Sequence, residues 1–120
     1  MEPTASMALR AARKAGNLVV RASDDMDRVG YQAKAAADFV TDVDIAAEKE
    51  ILYQLGKTYP EHRFLCEESG LSGNEDSDYT WVIDPLDGTS NFLRGIPHYA
   101  ISIACLHRGK IEHAVVYDPV

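Results

Sequence analysis

The sequence has few of the features that mark several large classes of protein. Its two cysteines, Cys66 and Cys105, form no CxxC pair, so we expect neither a disulfide framework nor a zinc site. The absence of a long apolar run at the start argues against a signal peptide or membrane span and predicts a cytoplasmic protein. Basic residues number 12 against 19 acidic ones, and the net charge of −7 argues against a nucleic-acid surface.

What remains is the composition of an ordinary globular chain. The 120 residues suit one domain or part of one, and a hydrophobic content of 46% is enough to form a core. Both cysteines lie in apolar runs, which predicts small core residues. The four histidines are scattered without ligand spacing, and none is assigned to a metal.

The stretch Trp81–Phe92, WVIDPLDGTSNF, is the most informative part of the chain. Its opening residues are bulky, apolar and favoured in strands. Pro85 then fixes the backbone and cannot donate to a sheet, so we expect the strand to end sharply at Asp84. A buried strand would thereby deliver Asp84 and Asp87 into one tight loop.

Two kinds of ligand fit this loop. Carboxylates three residues apart can converge on a hard cation such as Mg²⁺, which prefers oxygen ligands. Thr89 and Ser90, which follow Gly88, are suited to open a helix whose backbone N–H groups attract anions. The loop therefore predicts joint handling of metal and phosphate, whereas either aspartate-containing dipeptide alone would fit an ordinary turn.

Two long helices are predicted upstream of this loop. Apolar residues recur at helical spacing from Thr4 to about Ala22. A second helix begins after Thr41, with Asp44 placed as in a capping box, and runs to about Thr58. Its predicted inner stripe consists of Ile45, Glu48, Ile51 or Leu52, and Leu55.

The first helix carries its cations on one face. They are Arg10, Arg13, Lys14 and Arg21. A charged helix face is more often solvated than it is a binding patch, and we interpret this one as solvated.

The other regular segments are rich in residues that favour strands. They are 62–66, 79–83, 99–107 and 110–117. Arg108-Gly109 is typical of a tight hairpin turn. Residues 23–37 and 71–78 are polar and predict loops, the first with a strand-like edge near Val29–Tyr31. Glu67 and Glu68 follow the first of these strands and should point in opposite directions, so that one of them can face a site.

Taken together, the Glu67-Glu68 pair, the upstream string DFVTDVD and WVIDPLDGTSNF resemble the inositol monophosphatase family, especially its bacterial SuhB-type members. The resemblance covers essentially the whole chain. It implies the family's layered α/β architecture, an α-β-α-β-α sugar-phosphatase fold, here with two long helices on a mostly antiparallel sheet. Family members are considerably longer and continue to a W-D-x-A-A-G-like segment, so residues 1–120 resemble the N-terminal part of a single domain. Such a part is expected to have little activity alone.

The resemblance also implies roles for individual residues. The metal ligands would be Glu67, Asp84, Asp87 and the backbone carbonyl of Leu86. The backbone N–H groups of Gly88 and Thr89 would receive phosphate. The Thr89 hydroxyl and Asp44 would orient and activate the attacking water. Three further residues would support the metals from behind the ligands: Lys34, Asp38 and Glu68.

The implied activity is the magnesium-dependent (Mg2+-dependent) hydrolysis of myo-inositol monophosphate by direct attack of water. The resemblance also implies that Li⁺ inhibits this activity. A homodimer is the implied assembly of the full-length protein. Two alternatives remain open: a sister activity on fructose 1,6-bisphosphate or a 3′-phosphoadenosine nucleotide, and a regulatory role in ribosomal RNA transcription antitermination with RNA polymerase. A Ca²⁺ module fits poorly because the chain has no EF-hand loop.

Overall fold

The computed structural model describes residues 2–35 and 38–120, and within them the side chains of Ala35 and Asp38 are left undescribed. The helices are α1 (Pro3–Ser23), α2 (Asp42–Thr58) and α3 (Thr89–Leu93), with a 3₁₀ turn at Met26–Arg28. The strands are β1 (Tyr31–Ala35), β2 (Asp38–Thr41), β3 (Arg63–Cys66), β4 (Gly70–Gly73), β5 (Tyr79–Asp87), β6 (Ala100–His107) and β7 (Lys110–Tyr117). None of the described helices combines the length and apolarity needed to cross a bilayer.

The core lies between the two long helices and one face of a five-stranded sheet. The strand order is β4-β3-β5-β6-β7, and every pair is antiparallel except β3 with β5. In β6 the buried side chains alternate along the strand, as expected when one face packs on helices. The expectation of a mixed α/β fold with a mostly antiparallel sheet is confirmed.

Helix α1 packs closely against α2 because its inner face is built from small residues. Ala8, Ala11, Ala12 and Ala15 are almost completely buried. Both cysteines are also buried, as predicted.

Helix α2 begins where its sequence signal placed it. Thr41 is the N-cap and forms a reciprocal capping box with Asp44. The predicted inner stripe was wrong at Ile45, which is 43% exposed, because the buried face is rotated towards Val43 and Ala47.

The expectation that the central strand ends at Asp84 was wrong. Strand β5 continues through Pro85 to Asp87, and its pairing with β6 is irregular between Asp84 and Asp87. The proline, which has no N–H to donate, therefore sits where the ladder is already interrupted. Pro85 is fully buried.

Two segments predicted as loops contain strands. Within 23–37, residues 31–35 form β1 and pair antiparallel with β2, so the expected strand-like edge near Val29–Tyr31 coincides with the start of β1 only at Tyr31. Residues 71–73 of the second segment belong to β4, which pairs with β3. Neither segment has the alternation of apolar residues that marks a strand, because both are exposed along most of their length. The predicted hairpin turn is confirmed, with positive φ at Arg108 and Gly109.

A stack of aromatic rings closes the end of the core opposite the loop of Asp84. The His62 ring lies between Tyr59 and Tyr79, with centroid distances of 4.7 Å on each side. Its Nδ1 accepts a hydrogen bond of 3.0 Å from the indole Nε1 of Trp81. The Nδ1 atom of His62 therefore carries no proton, and burial lowers the pKa of the imidazole.

Candidate active site

An open pocket lies where β3 and β5 end and α3 begins. Its volume is about 230 Å³. Most of the residues singled out from the sequence line it, together with Phe39 and Ser90: Glu67, Asp84, Leu86, Asp87, Gly88 and Thr89.

Parallel pairing of β3 with β5 brings two carboxylates together at the head of this pocket. Cys66 is in register with Ile83, and the Glu67 N–H donates to the Ile83 carbonyl at 3.2 Å. Glu67, the first residue after β3, therefore lies beside Asp84 in β5. A hydrogen bond with Asp84 is the largest cause that raises the pKa of Glu67 to about 8, followed by burial and by the charges of Asp84 and Glu68. Such a pair favours a shared proton or a shared cation.

Behind Glu67, a lysine and a second glutamate form an ion pair. Lys34 Nζ lies 2.8 Å from a Glu68 carboxylate oxygen and 4.0 Å from one of Glu67. Lys34 also opposes the rise in the pKa of Glu67. Lys34 thus reaches both consecutive glutamates, and its closer contact is with Glu68.

Glu48 is a residue whose role the sequence reading missed. It is 3% exposed, and its two carboxylate oxygens accept the backbone N–H groups of Glu68 and Ser69 at 2.9 and 3.0 Å. Helix α2 thereby holds the turn that orients Glu67. The available signal was a charged residue on the buried stripe of a helix, since a buried charge requires partners.

Asp44 is the acceptor in a second polar group. The carboxylate is 3% exposed and receives the backbone N–H of Thr41 at 2.8 Å, the Thr41 hydroxyl, and the Thr89 hydroxyl at 2.9 Å. The Thr89 hydroxyl lies at the pocket wall, whereas Asp44 lies behind it. Asp44 therefore has a buried route to the pocket through the oxygen of Thr89.

The loop between the carboxylates is shaped by its own hydrogen bonds. The Leu86 N–H donates to Asp84 at 3.3 Å, and the Leu86 carbonyl lies 3.1 Å from the Thr89 hydroxyl. Gly88 caps α3 with a φ of 100°, and a Cβ there would lie 2.8 Å from the His98 carbonyl oxygen. Only glycine meets both conditions without strain.

The donor set suits a hard cation. Glu67 and Asp84 converge, and the Leu86 carbonyl and Asp87 line the same pocket with further oxygens. Over residues 2–35 and 38–120, no group of three or more His, Cys, Asp or Glu side chains is arranged so that it could hold a metal ion. The predicted role of the Asp38 side chain lies outside the described residues.

Comparison with known proteins gives consistent results. A curated Pseudomonas aeruginosa protein named "Nus factor SuhB" is 52% identical over 122 residues, which is all of this chain and 45% of that protein. The solved extragenic suppressor protein suhB from Bartonella henselae is 42% identical, with a TM-score of 0.95 over 98% of this chain and 46% of that one. A solved IMPase/NADP phosphatase complexed with Mg²⁺ and phosphate is 26% identical, with a TM-score of 0.75 over 88% of this chain and 40% of that one.

The chain thus spans about 45% of the length of the curated relative it matches. The model of the inositol monophosphatase family matches residues 1–120. From that match, the chain belongs to the inositol monophosphatase family.

Proposed function

We propose that this chain supplies the carboxylate half of a Mg²⁺-dependent phosphomonoesterase site that hydrolyses myo-inositol monophosphate to inositol and phosphate. The proposal rests on one observation: the same pocket contains a pair of carboxylates suited to a cation and a hydroxyl suited to proton transfer. Glu67 and Asp84 form a crowded anionic pair, and the Thr89 hydroxyl connects the same pocket to buried Asp44.

The cation would be held by Glu67, Asp84, Asp87 and the carbonyl of Leu86. When bound, Mg²⁺ supplies charge neutralisation for the phosphate dianion and for the approach of a nucleophile. The raised pKa of Glu67 supports this assignment, because carboxylates that repel each other gain most from a cation between them. The protein-bound Mg²⁺ and phosphate of the solved NADP phosphatase relative are further support.

Thr89 and Asp44 would move the proton. While its hydroxyl donates to Asp44, the lone pairs of Thr89 Oγ1 can accept a hydrogen bond from a water in the pocket. As this water attacks phosphorus, its proton passes to Thr89 Oγ1 and the Thr89 proton passes to Asp44 Oδ2. The bond from phosphorus to the inositol oxygen breaks, and that oxygen takes up a proton from solvent in the open pocket. The three hydrogen bonds that Asp44 accepts hold it in position for this transfer.

The start of α3 would orient the phosphoryl group. Gly88 and Thr89 line the pocket at the first turn, where backbone N–H groups point away from the helix. Donors placed in this way stabilise the charge that develops on phosphoryl oxygens. The glycine is required because a Cβ at this position would meet the His98 carbonyl.

Inositol monophosphate is proposed as the substrate because the family match covers the whole chain. Fructose 1,6-bisphosphate and 3′-phosphoadenosine nucleotides are the competing substrates, since the described pocket contains groups for a phosphate but no feature that selects its leaving group.

The test is Mg²⁺-dependent phosphate release from myo-inositol 1-phosphate, with both competing substrates in parallel. It is run on this chain and on a chimaera in which the chain replaces the matching segment of the Pseudomonas aeruginosa relative. Asp84→Asn should abolish the activity of the chimaera, whereas Asp76→Asn, a matched change in an exposed loop, should not. A folded, Mg²⁺-loaded chimaera that releases phosphate from none of the substrates would refute the proposal.

A second function is favoured by the names of the relatives, several of which are called "Nus factor SuhB". We infer that the chain takes part in a transcription antitermination complex through its surface rather than through the pocket. Asp87→Asn in the chimaera separates the two functions. Loss of phosphate release with full antitermination would support a surface role, whereas parallel loss of both would contradict it.

A further inference from the structure

The outer face of α1 is a concentrated patch of positive charge on an acidic protein. The helix contributes four cations and no carboxylate between Pro3 and Ser23. Because the chain has a net charge of −7, the rest of it carries −11. We refer to Arg10, Arg13, Lys14 and Arg21 as the cationic stripe.

The side chains of the stripe form a continuous row. At 100° per residue they fall, together with Ser6 and Asn17, within about 100° of the helix circumference and extend for about 16 Å from Arg10 to Arg21. All four cations are exposed. The row is therefore wide and long enough to meet several anionic groups of one extended ligand.

None of the four cations forms an ion pair with another described residue. Two exposed arginines elsewhere do form such pairs: Arg28 with Asp25, and Arg108 with Asp78. Cations whose only role is to solvate a helix face could equally well pair with neighbouring carboxylates. No direct ion pair neutralises the stripe, and its positive potential is screened over about 8 Å at physiological ionic strength.

Two shallow, open grooves follow the stripe, with volumes of about 540 and 380 Å³. Lys14 and Asn17 line both of them. Glu50 of α2 lines the smaller groove and is the acidic group in these two linings.

The chemistry of the stripe favours phosphate over a protein partner. Arginine, lysine, asparagine and serine are the side chains that contact nucleic-acid phosphates and sugars. Three of the four cations are arginines, whose guanidinium groups bind phosphate in a bidentate manner. Protein interfaces are enriched in aromatic anchors, whereas the apolar side chains that line the two grooves are Leu9 and Leu18, with no aromatic residue.

We propose that the cationic stripe of α1 binds the phosphate backbone of single-stranded nucleic acid, without reading its sequence. This site is separate from the pocket of Asp84 and does not depend on the phosphatase proposal. It differs from the interpretation of this face as solvated. The net charge of the whole chain does not argue against the site, because α1 itself contains no carboxylate and Glu50 of α2 is the acidic group in the two grooves.

The test measures binding of a short, fluorescein-labelled single-stranded RNA of mixed sequence by anisotropy, between about 50 and 200 mM salt. The stripe variant changes all four cations to glutamine. We expect it to lose at least about tenfold in affinity at the lower salt and to reduce the slope of log affinity against log salt by about 3, since each neutralised phosphate contributes about 0.7.

A matched control variant loses the same four charges elsewhere. It changes to glutamine four exposed cations that, like the stripe, form no ion pair among the described residues, which are Lys49, Lys57, Arg94 and Lys110. It should lose less than about threefold in affinity, because the ligand is held by local contacts rather than by net charge. An equal loss in both variants would overturn the proposal, as would a wild-type chain that does not bind at the lower salt.

Two further arms identify the ligand. Single-stranded DNA of the same sequence should bind within a few-fold of RNA if the backbone is recognised. Poly-L-glutamate that competes as well as RNA at equal charge would assign the stripe to an acidic protein and overturn the proposal. Circular dichroism checks the fold of the stripe variant. If it is unfolded, Arg10→Gln and Arg21→Gln are measured singly, and unchanged slopes in both would refute the site.

Discussion

The hydrogen bond between Thr89 and Asp44 gives the sharpest test of the proposed site, because it can be measured without turnover. Thr89→Val keeps the shape of the side chain and removes the hydroxyl. Asp44 is 3% exposed and would lose one of its three donors. A hydrogen bond to a charged group contributes about 1.5–3 kcal/mol, and the Thr89 end faces an open pocket, so we expect the free energy of unfolding to fall by about 1–2 kcal/mol.

The assay is urea unfolding followed by the fluorescence of Trp81, which is the only tryptophan and is completely buried. Thr89→Ser keeps the hydroxyl and should recover most of the loss. Thr58→Val is the matched control. It removes the same hydroxyl from an exposed helix end, where the bond to the Gln54 carbonyl is 3.2 Å long, and should change the free energy by less than about 0.5 kcal/mol.

A double-mutant cycle with Asp44→Asn tests whether the two residues act together. Because both changes break the same bond, the cost of the double variant should fall short of the sum by about 1 kcal/mol. In the chimaera, Thr89→Val should reduce phosphate release by at least about a hundredfold, since general base catalysis contributes about 10²–10⁴. Additive stability effects, or a Thr89→Val protein with full activity, would refute the proposed proton route.

Three further results are expected. Because the pKa of Glu67 is raised to about 8, its contribution to stability in the absence of metal is present below pH 4.5 and is lost as the pH rises towards 8. Binding of Mg²⁺ at pH 7 should therefore release a proton, which calorimetry in two buffers can detect and which Glu67→Gln should abolish. His62 has the opposite sign: its lowered pKa means that its contribution to stability is complete above 6.5 and is lost as the pH falls below that value. The urea midpoint should drop between pH 7.5 and 5 in the wild type but much less in His62→Phe, and an equal drop in both would exclude His62 as the cause. Gly88→Ala should destabilise the fold by about 1–3 kcal/mol, because it combines a positive φ with a Cβ placed 2.8 Å from a carbonyl oxygen. Gly95→Ala, which also has a positive φ but open space around it, should cost less in the same unfolding assay.

Local signals in the sequence predicted the elements that they control locally. The capping box at Thr41 and Asp44 placed the start of α2, because the bonds it makes span three residues. The hairpin between β6 and β7 was likewise predicted by Arg108-Gly109, whose backbone conformations form a tight turn. The strand β4 and most of β1 were missed because they are exposed, and exposed strands leave no alternating apolar pattern.

The candidate site was predicted as a set of residues rather than as an arrangement. The string WVIDPLDGTSNF indicated a metal and phosphate loop, and six of its residues, all between Asp84 and Ser90, line one pocket. The buried support of Glu48 was missed, because its partners are backbone groups 20 and 21 residues away and leave no pattern near it. The roles of these residues in metal binding and catalysis remain predictions.

The sequence by itself determined the chemical groups, the two long helices and the family to which the chain belongs. Only the tertiary structure decided which groups meet. Parallel pairing of β3 with β5 sets Glu67 beside Asp84 and raises the pKa of Glu67, and packing of α2 near the start of α3 joins Asp44 to Thr89 across 45 positions. The physical reason is that caps and turns are settled by neighbours in the chain, whereas strand order and burial are settled by the core as a whole.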